Sequence, residues 1–115
     1  MKKTEKNTVL AACVAKSAGL AGLVEYSTDS IVSKTIIDKP VGTITLFAFD
    51  AGQGLSEHQA PYDAFVQIVE GSAVLVIGGK DVPAKVGEAV IMPANVPHAV
   101  QAKEKFKMLL TMIRA

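Results

Sequence analysis

Turn-forming residues punctuate this chain from residue 30 to its end, at intervals of roughly 8–12 residues, the spacing of short antiparallel strands. Pro40 and Gly42, Gly52 and Gly54, Pro61, Gly71, the Gly78-Gly79 pair, Gly87, Pro93 and Pro97 mark the breaks. The segments between them have strand character. Residues 30–37 are rich in β-branched side chains (Ile31, Val32, Thr35, Ile36, Ile37), which suit a pleated surface. Residues 43–49 set Thr43, Thr45, Phe47 and Phe49 against Ile44, Leu46 and Ala48 with period two. Residues 65–70 and 73–77 flank Gly71-Ser72 and read as a hairpin. Gly78-Gly79 reads as a second hairpin, whose two residues tolerate positive φ and return residues 82–86 onto 73–77. Pro83 marks that returning segment as an edge or irregular strand. Residues 57–60, 89–92, 98–102 and 106–113 complete about eight to ten short strands, the pattern of an antiparallel sandwich or barrel. No helical pattern follows residue 30, which excludes a doubly wound α/β fold.

The first 29 residues differ. Residues 1–7 are polar and charged. Residues 8–18 are alanine-rich, with Val9, Leu10, Cys13 and Val14 at helical spacing. Asn7 or Thr8 is placed to cap a helix there and Gly19 to end it. A second short turn is expected over 20–24. The division expected is therefore a polar tail and short helical segment over 1–29, then a barrel over 30–115.

A chain of 115 residues with 50% hydrophobic and 20% charged residues suits one globular domain. Tryptophan is absent and aromatics are 5%, so the core must be aliphatic. A net charge of +1 and dispersed basic residues argue against a nucleic-acid partner. Lys103, Lys105 and Lys107, at strand spacing, are expected to form one solvated face. Cys13 has no second cysteine to pair with and reads as a small buried hydrophobe in a reducing, cytoplasmic setting. Residues 10–13 resemble a lipoprotein cleavage box, but Glu5, Lys6 and Asn7 leave no apolar run of the required roughly 7–15 residues before it. No segment approaches the roughly 20 apolar residues that span a bilayer, so no membrane association is expected.

The only two histidines stand in stretches that echo each other. The first runs Gly52, His58, Ala60, Ala64, Gly71; the second runs Gly87, Pro93, Asn95, His98, Ala102. Each opens on a glycine turn six residues before a marked position. Pro93 and Pro97 restrict the backbone of the loop that presents His98.

At these spacings the chain resembles the cupins over residues 30–113. The resemblance implies an all-β fold, an antiparallel double-stranded β-helix or jelly-roll barrel, here with a short N-terminal helix. It also implies where a divalent transition metal would bind: two histidines and a glutamate from the first motif and a histidine from the second. This chain has His58, Ala60, Ala64 and His98 at those places. Two of four ligands are alanines without donor atoms, whereas such metals want three or four protein ligands. Strand alternation turns Glu57 and Gln59 away from His58, which leaves Asp63, in the proline loop, as a candidate third ligand. The sequence requires no cofactor and assigns no catalytic residue.

The resemblance places His58, Ala60, Ala64, Val66 and Ile68 inward, with His98, Val100 and Ala102 beside them. On the last strand Phe106, Met108, Leu110 and Met112 form the more buried face. The expected ligand site is a small apolar pocket lined by Val66, Ile68, Phe106 and Met108, with His58 and His98 as its polar points. Two readings of function follow. One is a small-molecule-binding cupin with no complete metal site. The other is a metal-dependent oxygenase or isomerase that uses His58 and His98 with an incomplete ligand set. A filled barrel with no cavity beside the histidines would instead mark a purely structural module. A homodimer is expected in each case, with residues 30–37 and the N-terminal helix as candidate contacts.

Overall fold

A computed structural model describes residues 8–114. Nine strands follow one another: β1 Thr8–Val9, β2 Ile31–Lys39, β3 Gly42–Phe49, β4 Gly54–His58, β5 Ala64–Ile77, β6 Lys80–Lys85, β7 Ala89–Met92, β8 His98–Gln101 and β9 Phe106–Ile113. All pairings are antiparallel. The expected bounds hold closely for β2, β3, β7 and β9, where alternation or β-branching was strongest.

The expected hairpin at Gly71-Ser72 does not form. Residues 64–77 are one strand of 14 residues that bends at Gly71 and belongs to two sheets. Its first half lies between β9 and β7. Its second half lies between β6 and β8. The larger sheet runs β1-β2-β3-β9-β5-β7, and the smaller runs β6-β5-β8-β4. Gly71 has φ +76° and follows directly on the slip in register with β9 between Ile68 and Glu70. A glycine in the left-handed region signals a bend or bulge as well as a hairpin, and here the neighbouring strands select the bend. At Gly78-Gly79 the hairpin is found, with φ +58° and +83° and Ile77 opposite Lys80. Pro83 lies on β6, which borders the smaller sheet, where its missing N–H costs no ladder bond.

The interior lies between the two sheets. Phe49, Val66, Ile68, Leu75, Val100, Phe106 and Met108 are buried there. The rings of Phe49 and Phe106 stack, with centroids 4.5 Å apart and planes 10° from parallel. Burying each such side chain contributes about 1.5–3 kcal/mol. Of the last strand's inward face, Phe106 and Met108 are fully buried, and Leu110 and Met112 are half-buried at its edge.

The N-terminal helix is absent among the described residues. Thr8 and Val9 pair with Asp38 and Ile37 instead. Ala11–Cys13 and Leu20–Leu23 form short 3₁₀ turns, neither with a side-chain cap. The alanine-rich segment has too weak an apolar stripe to hold a helix, and the open edge of β2 offers it backbone partners. Cys13 lies half-buried in the first turn. Residues 20–26 lie across the outer face of the larger sheet, where Leu23, Val24 and Tyr26 pack on Leu46, Ala48, Val69 and Leu109.

This strap also corrects the expected lysine face. Residues 103 and 105 lie in a loop and are exposed, but Lys107 is on β9 and only 7% exposed. Its ammonium donates to the Ala21 carbonyl at 2.5 Å, lies 3.8 Å from the Glu70 carboxylate and sits over the Tyr26 ring. The Tyr26 hydroxyl donates to Glu70 at 2.6 Å. Burial, then the Glu70 hydrogen bond and charge, raise the Tyr26 phenol far above its ordinary value of 10.0. Lys107 thus ties the strap to the sheet, a contact between residues 86 positions apart.

Candidate functional site at the histidine pair

His58 ends β4 and His98 begins β8, directly opposite each other in the ladder. Simple alternation does not bring them together. Leu55 pairs with Val100 and His58 with His98, so β4 spends three residues where β8 spends two. The extra residue is a β-bulge. It returns His58 to the side carrying Leu55, which packs on the core, whereas strict alternation would have turned it outward. The tautomers and spacing of the two rings follow from this local backbone.

The rings meet edge to face, with centroids 4.4 Å apart and planes at 71°. His98 is 4% exposed, and His58 is exposed at the barrel end. His58 Nδ1–H donates to the Ser56 carbonyl at 2.9 Å, and His98 Nδ1–H donates to the Val96 carbonyl at 3.2 Å. Carbonyl oxygens only accept, so both Nδ1 atoms carry hydrogen and both Nε2 atoms of the neutral rings present lone pairs. Those Nε2 atoms stand 3.2 Å apart. The pair is a concentrated double acceptor, satisfied by one shared proton or by a group that brings hydrogens to both nitrogens.

Burial pulls the His98 imidazole below its ordinary value of 6.5, the Val96 carbonyl opposes this, and the adjoining His58 adds to the lowering. The folded chain therefore holds this proton less tightly than the unfolded chain. The destabilisation is absent above pH 6.5 and grows as pH falls from there toward the lowered folded value. The thermal midpoint is expected to drop between about pH 7.5 and 5.5, with a shallower drop in His98→Gln. Equal slopes for the two proteins would show that His98 is not responsible.

The motif positions divide into those that shape backbone and those that would supply donors. Gly52, Gly71 and Gly87 all have positive φ, at +88°, +76° and +88°. Asn95 also has positive φ, at +63°, and asparagine enters this region more readily than most residues. By contrast Ala60 and Ala64 carry only methyl groups. Asp63 does not reach the pair: its carboxylate accepts from the Ala94 backbone N–H at 2.8 Å, and it lines a cleft of about 300 Å³ with Phe65, Ile91 and Ile113. Among the described residues no cluster of three His, Cys, Asp or Glu side chains could hold a metal ion. The nitrogen spacing matches two adjacent positions around a cation at roughly 2.0–2.1 Å, but two nitrogens and two alanines do not make a resident metal centre.

The expected lining residues are placed as follows. Val66, Ile68, Phe106 and Met108 are at most 3% exposed and belong to the interior cluster. None of them lines either of two clefts on the surface of the described residues. The larger, of about 560 Å³, lies by the bend in β5, over Ala73, Val74, Pro83 and Ala84 with Lys85 and Lys103 at its rim. Neither cleft contains a histidine. The histidine pair lies where β4 ends and β8 begins, with His58 exposed and His98 buried. The bulge that aims His58 and the two carbonyls that fix both tautomers escaped sequence reasoning, because nothing in residues 55–58 marks an extra residue.

Among the described residues, no helix is long and apolar enough to cross a membrane. The Cupin_2 family profile, described as cupin domain, matches residues 45–114. A conserved protein of unknown function from Streptococcus pyogenes is 32% identical, with a TM-score of 0.84 over 99% of this chain and 96% of its own. A cupin 2 conserved barrel domain protein from Leptotrichia buccalis is 41% identical, with a TM-score of 0.78, over 81% of this chain but 45% of that longer one. A cupin superfamily protein from Desulfitobacterium hafniense is 25% identical, with a TM-score of 0.83, over 98% and 100% of the two chains. No curated protein matches. With its motif glycines in the left-handed region, its two-sheet barrel and a family match over more than half its length, the chain belongs to the cupin family.

Proposed function

We propose that this cupin binds a small molecule without a resident metal, and that the His58–His98 pair is its polar anchor. The observation that carries the reading is the convergence of two Nε2 lone pairs at 3.2 Å, with both Nδ1 hydrogens committed to backbone carbonyls. Two adjacent acceptors suit a ligand with two adjacent hydrogens: an ammonium, a primary amide or neighbouring hydroxyls. Ala60 and Ala64 support the reading, since they replace donors by methyl groups where metal-binding cupins would chelate.

Two measurements test it. Protein purified without chelator and then supplemented with Fe, Mn, Ni, Cu or Zn is expected to retain far less than one ion per chain. Stoichiometric metal that is lost when His58 and His98 both become alanine would favour the metal-dependent enzyme and overturn this proposal. Imidazole ¹⁵N shifts of both histidines are expected to move on titration with a panel of small amines, amides and diols. A panel that moves neither ring at millimolar concentration would count equally against it.

A further inference from the structure

The cleft of about 560 Å³ beside the bend in β5 owes its floor to small residues. Ala73 and Ala84 stand directly opposite each other in the ladder between β5 and β6, and the next pair is Val74 with Pro83. These side chains are short and apolar, so this part of the ladder leaves a recess without polar groups of its own. Two segments wall it. One is the turn leading to Glu88, tied down by the Val86 N–H, which donates to the Gly71 carbonyl at 3.0 Å, and by the Lys85 N–H, which donates to the Glu88 carboxylate at 2.9 Å. The other is the loop of residues 102–105, held by the Ser72 hydroxyl, which donates to the Glu104 carboxylate at 2.6 Å. With both walls already tied to the chain, a ligand entering the cleft has little left to order.

Four charged residues line the cleft, two acidic and two basic, but they are not equivalent. Glu88 and Glu104 already accept hydrogen bonds from the chain. Among the described residues the ammoniums of Lys85 and Lys103 have neither a hydrogen-bond nor an ion-pair partner, and both residues are exposed. We propose that this cleft is a second binding site, for a small organic carboxylate. The apolar body lies on Ala73, Val74, Pro83 and Ala84, and the carboxylate meets Lys85 and Lys103. An ammonium offers three donors and no acceptor, so the two lysines select an anion over an amine. An inorganic anion would leave the apolar floor in water, and a neutral hydrocarbon would leave both ammoniums unpaired. No histidine lines this cleft. The His58–His98 pair presents acceptors and the cleft presents donors, so the two places take ligands of opposite character.

Titration of the full chain with sodium hexanoate at pH 7.5, followed in ¹H–¹⁵N spectra, tests the proposal. The backbone amides of Ala73, Val74, Ala84 and Lys85 are expected to shift together and to saturate in the millimolar range, roughly 1–20 mM. Acetate, which lacks four methylenes, is expected to bind at least ~10-fold more weakly. Hexylamine, with the same hydrocarbon and the opposite charge, is expected to leave these amides in place. Lys85→Gln and Lys103→Gln are each expected to weaken hexanoate binding about 5-fold or more, as loss of a charged hydrogen bond would. Lys80→Gln removes the same charge at the far end of β6 and is expected to change nothing. Circular dichroism melts check that these exposed-site variants fold. Hexanoate that shifts none of these amides, or only the two histidine rings, would overturn the proposal. So would hexylamine or acetate binding as well as hexanoate, or cleft-lysine variants no weaker than Lys80→Gln.

Discussion

Gly71→Val is expected to destabilise the protein by more than ~3 kcal/mol, enough to remove much of the stability of a domain this size. Two independent costs add. A side chain at φ +76° enters the left-handed region, worth about 1–2 kcal/mol and more for a β-branched residue. A Cβ at this position would also collide with the Lys105 carbonyl oxygen and press on Phe106. Neither is the end of a flexible side chain, so relief requires moving the ladder between β5 and β9. Urea unfolding measures the change, and a loss under about 1 kcal/mol would show that the bend does not depend on glycine. Gly79→Ala makes a useful contrast: it shares a positive φ, +83°, but meets nothing within 4 Å, so the conformational cost alone is expected.

Phe106→Ala is expected to cost about 3–5 kcal/mol, the usual range for deleting a fully buried aromatic ring. Phe106 is 0% exposed, stacks on Phe49 and lies opposite Gly71 in the ladder. Its removal opens a hole at the point where both sheets share β5, and neither backbone can collapse into it. Phe106→Leu keeps most of the volume and should lose substantially less. Chemical denaturation at pH 7.5 separates the outcomes. If Phe106→Ala lost less than about 1.5 kcal/mol, the ring would be facing a ligand cavity rather than filling the core.

Both positions show how a sequence signal can be sound and incomplete. Gly71 correctly marked a break in the strand pattern, and its φ is +76°. The sequence could not distinguish a hairpin from a bend, because both need the same local conformation. What separates them is whether residues 72–77 fold back on 65–70 or find partners in β6 and β8, which is a tertiary outcome. Lys107 is similar. Its spacing from two exposed lysines suggested a solvated face, but its head group is held by Ala21, Glu70 and Tyr26, all distant in sequence. The N-terminal helix failed because alanine content favours a helix only until a sheet edge competes for the same backbone groups.

The histidine pair divides in the same way. Spacing between turns placed His58 and His98 at matching motif positions. Alternation alone, however, would have turned His58 away from Leu55, and only the bulge reverses this. The acceptor geometry depends on two carbonyls, from Ser56 and Val96, that any residue would supply. Backbone groups leave no mark in a sequence, which is why the proton arrangement became visible only in three dimensions.

By itself the sequence determined the class of fold, most strand bounds, the left-handed pair at Gly78 and Gly79, and the absence of donor atoms at Ala60 and Ala64. These follow from local sterics and side-chain chemistry, which travel with the residue. The tertiary structure alone decided that β5 serves two sheets, that Lys107 is buried under a strap, that Nε2 faces Nε2 at 3.2 Å, and that Lys85 and Lys103 border one cleft. Each of those depends on which distant backbone and side-chain groups become neighbours, and a period of two along a strand is silent about its partners.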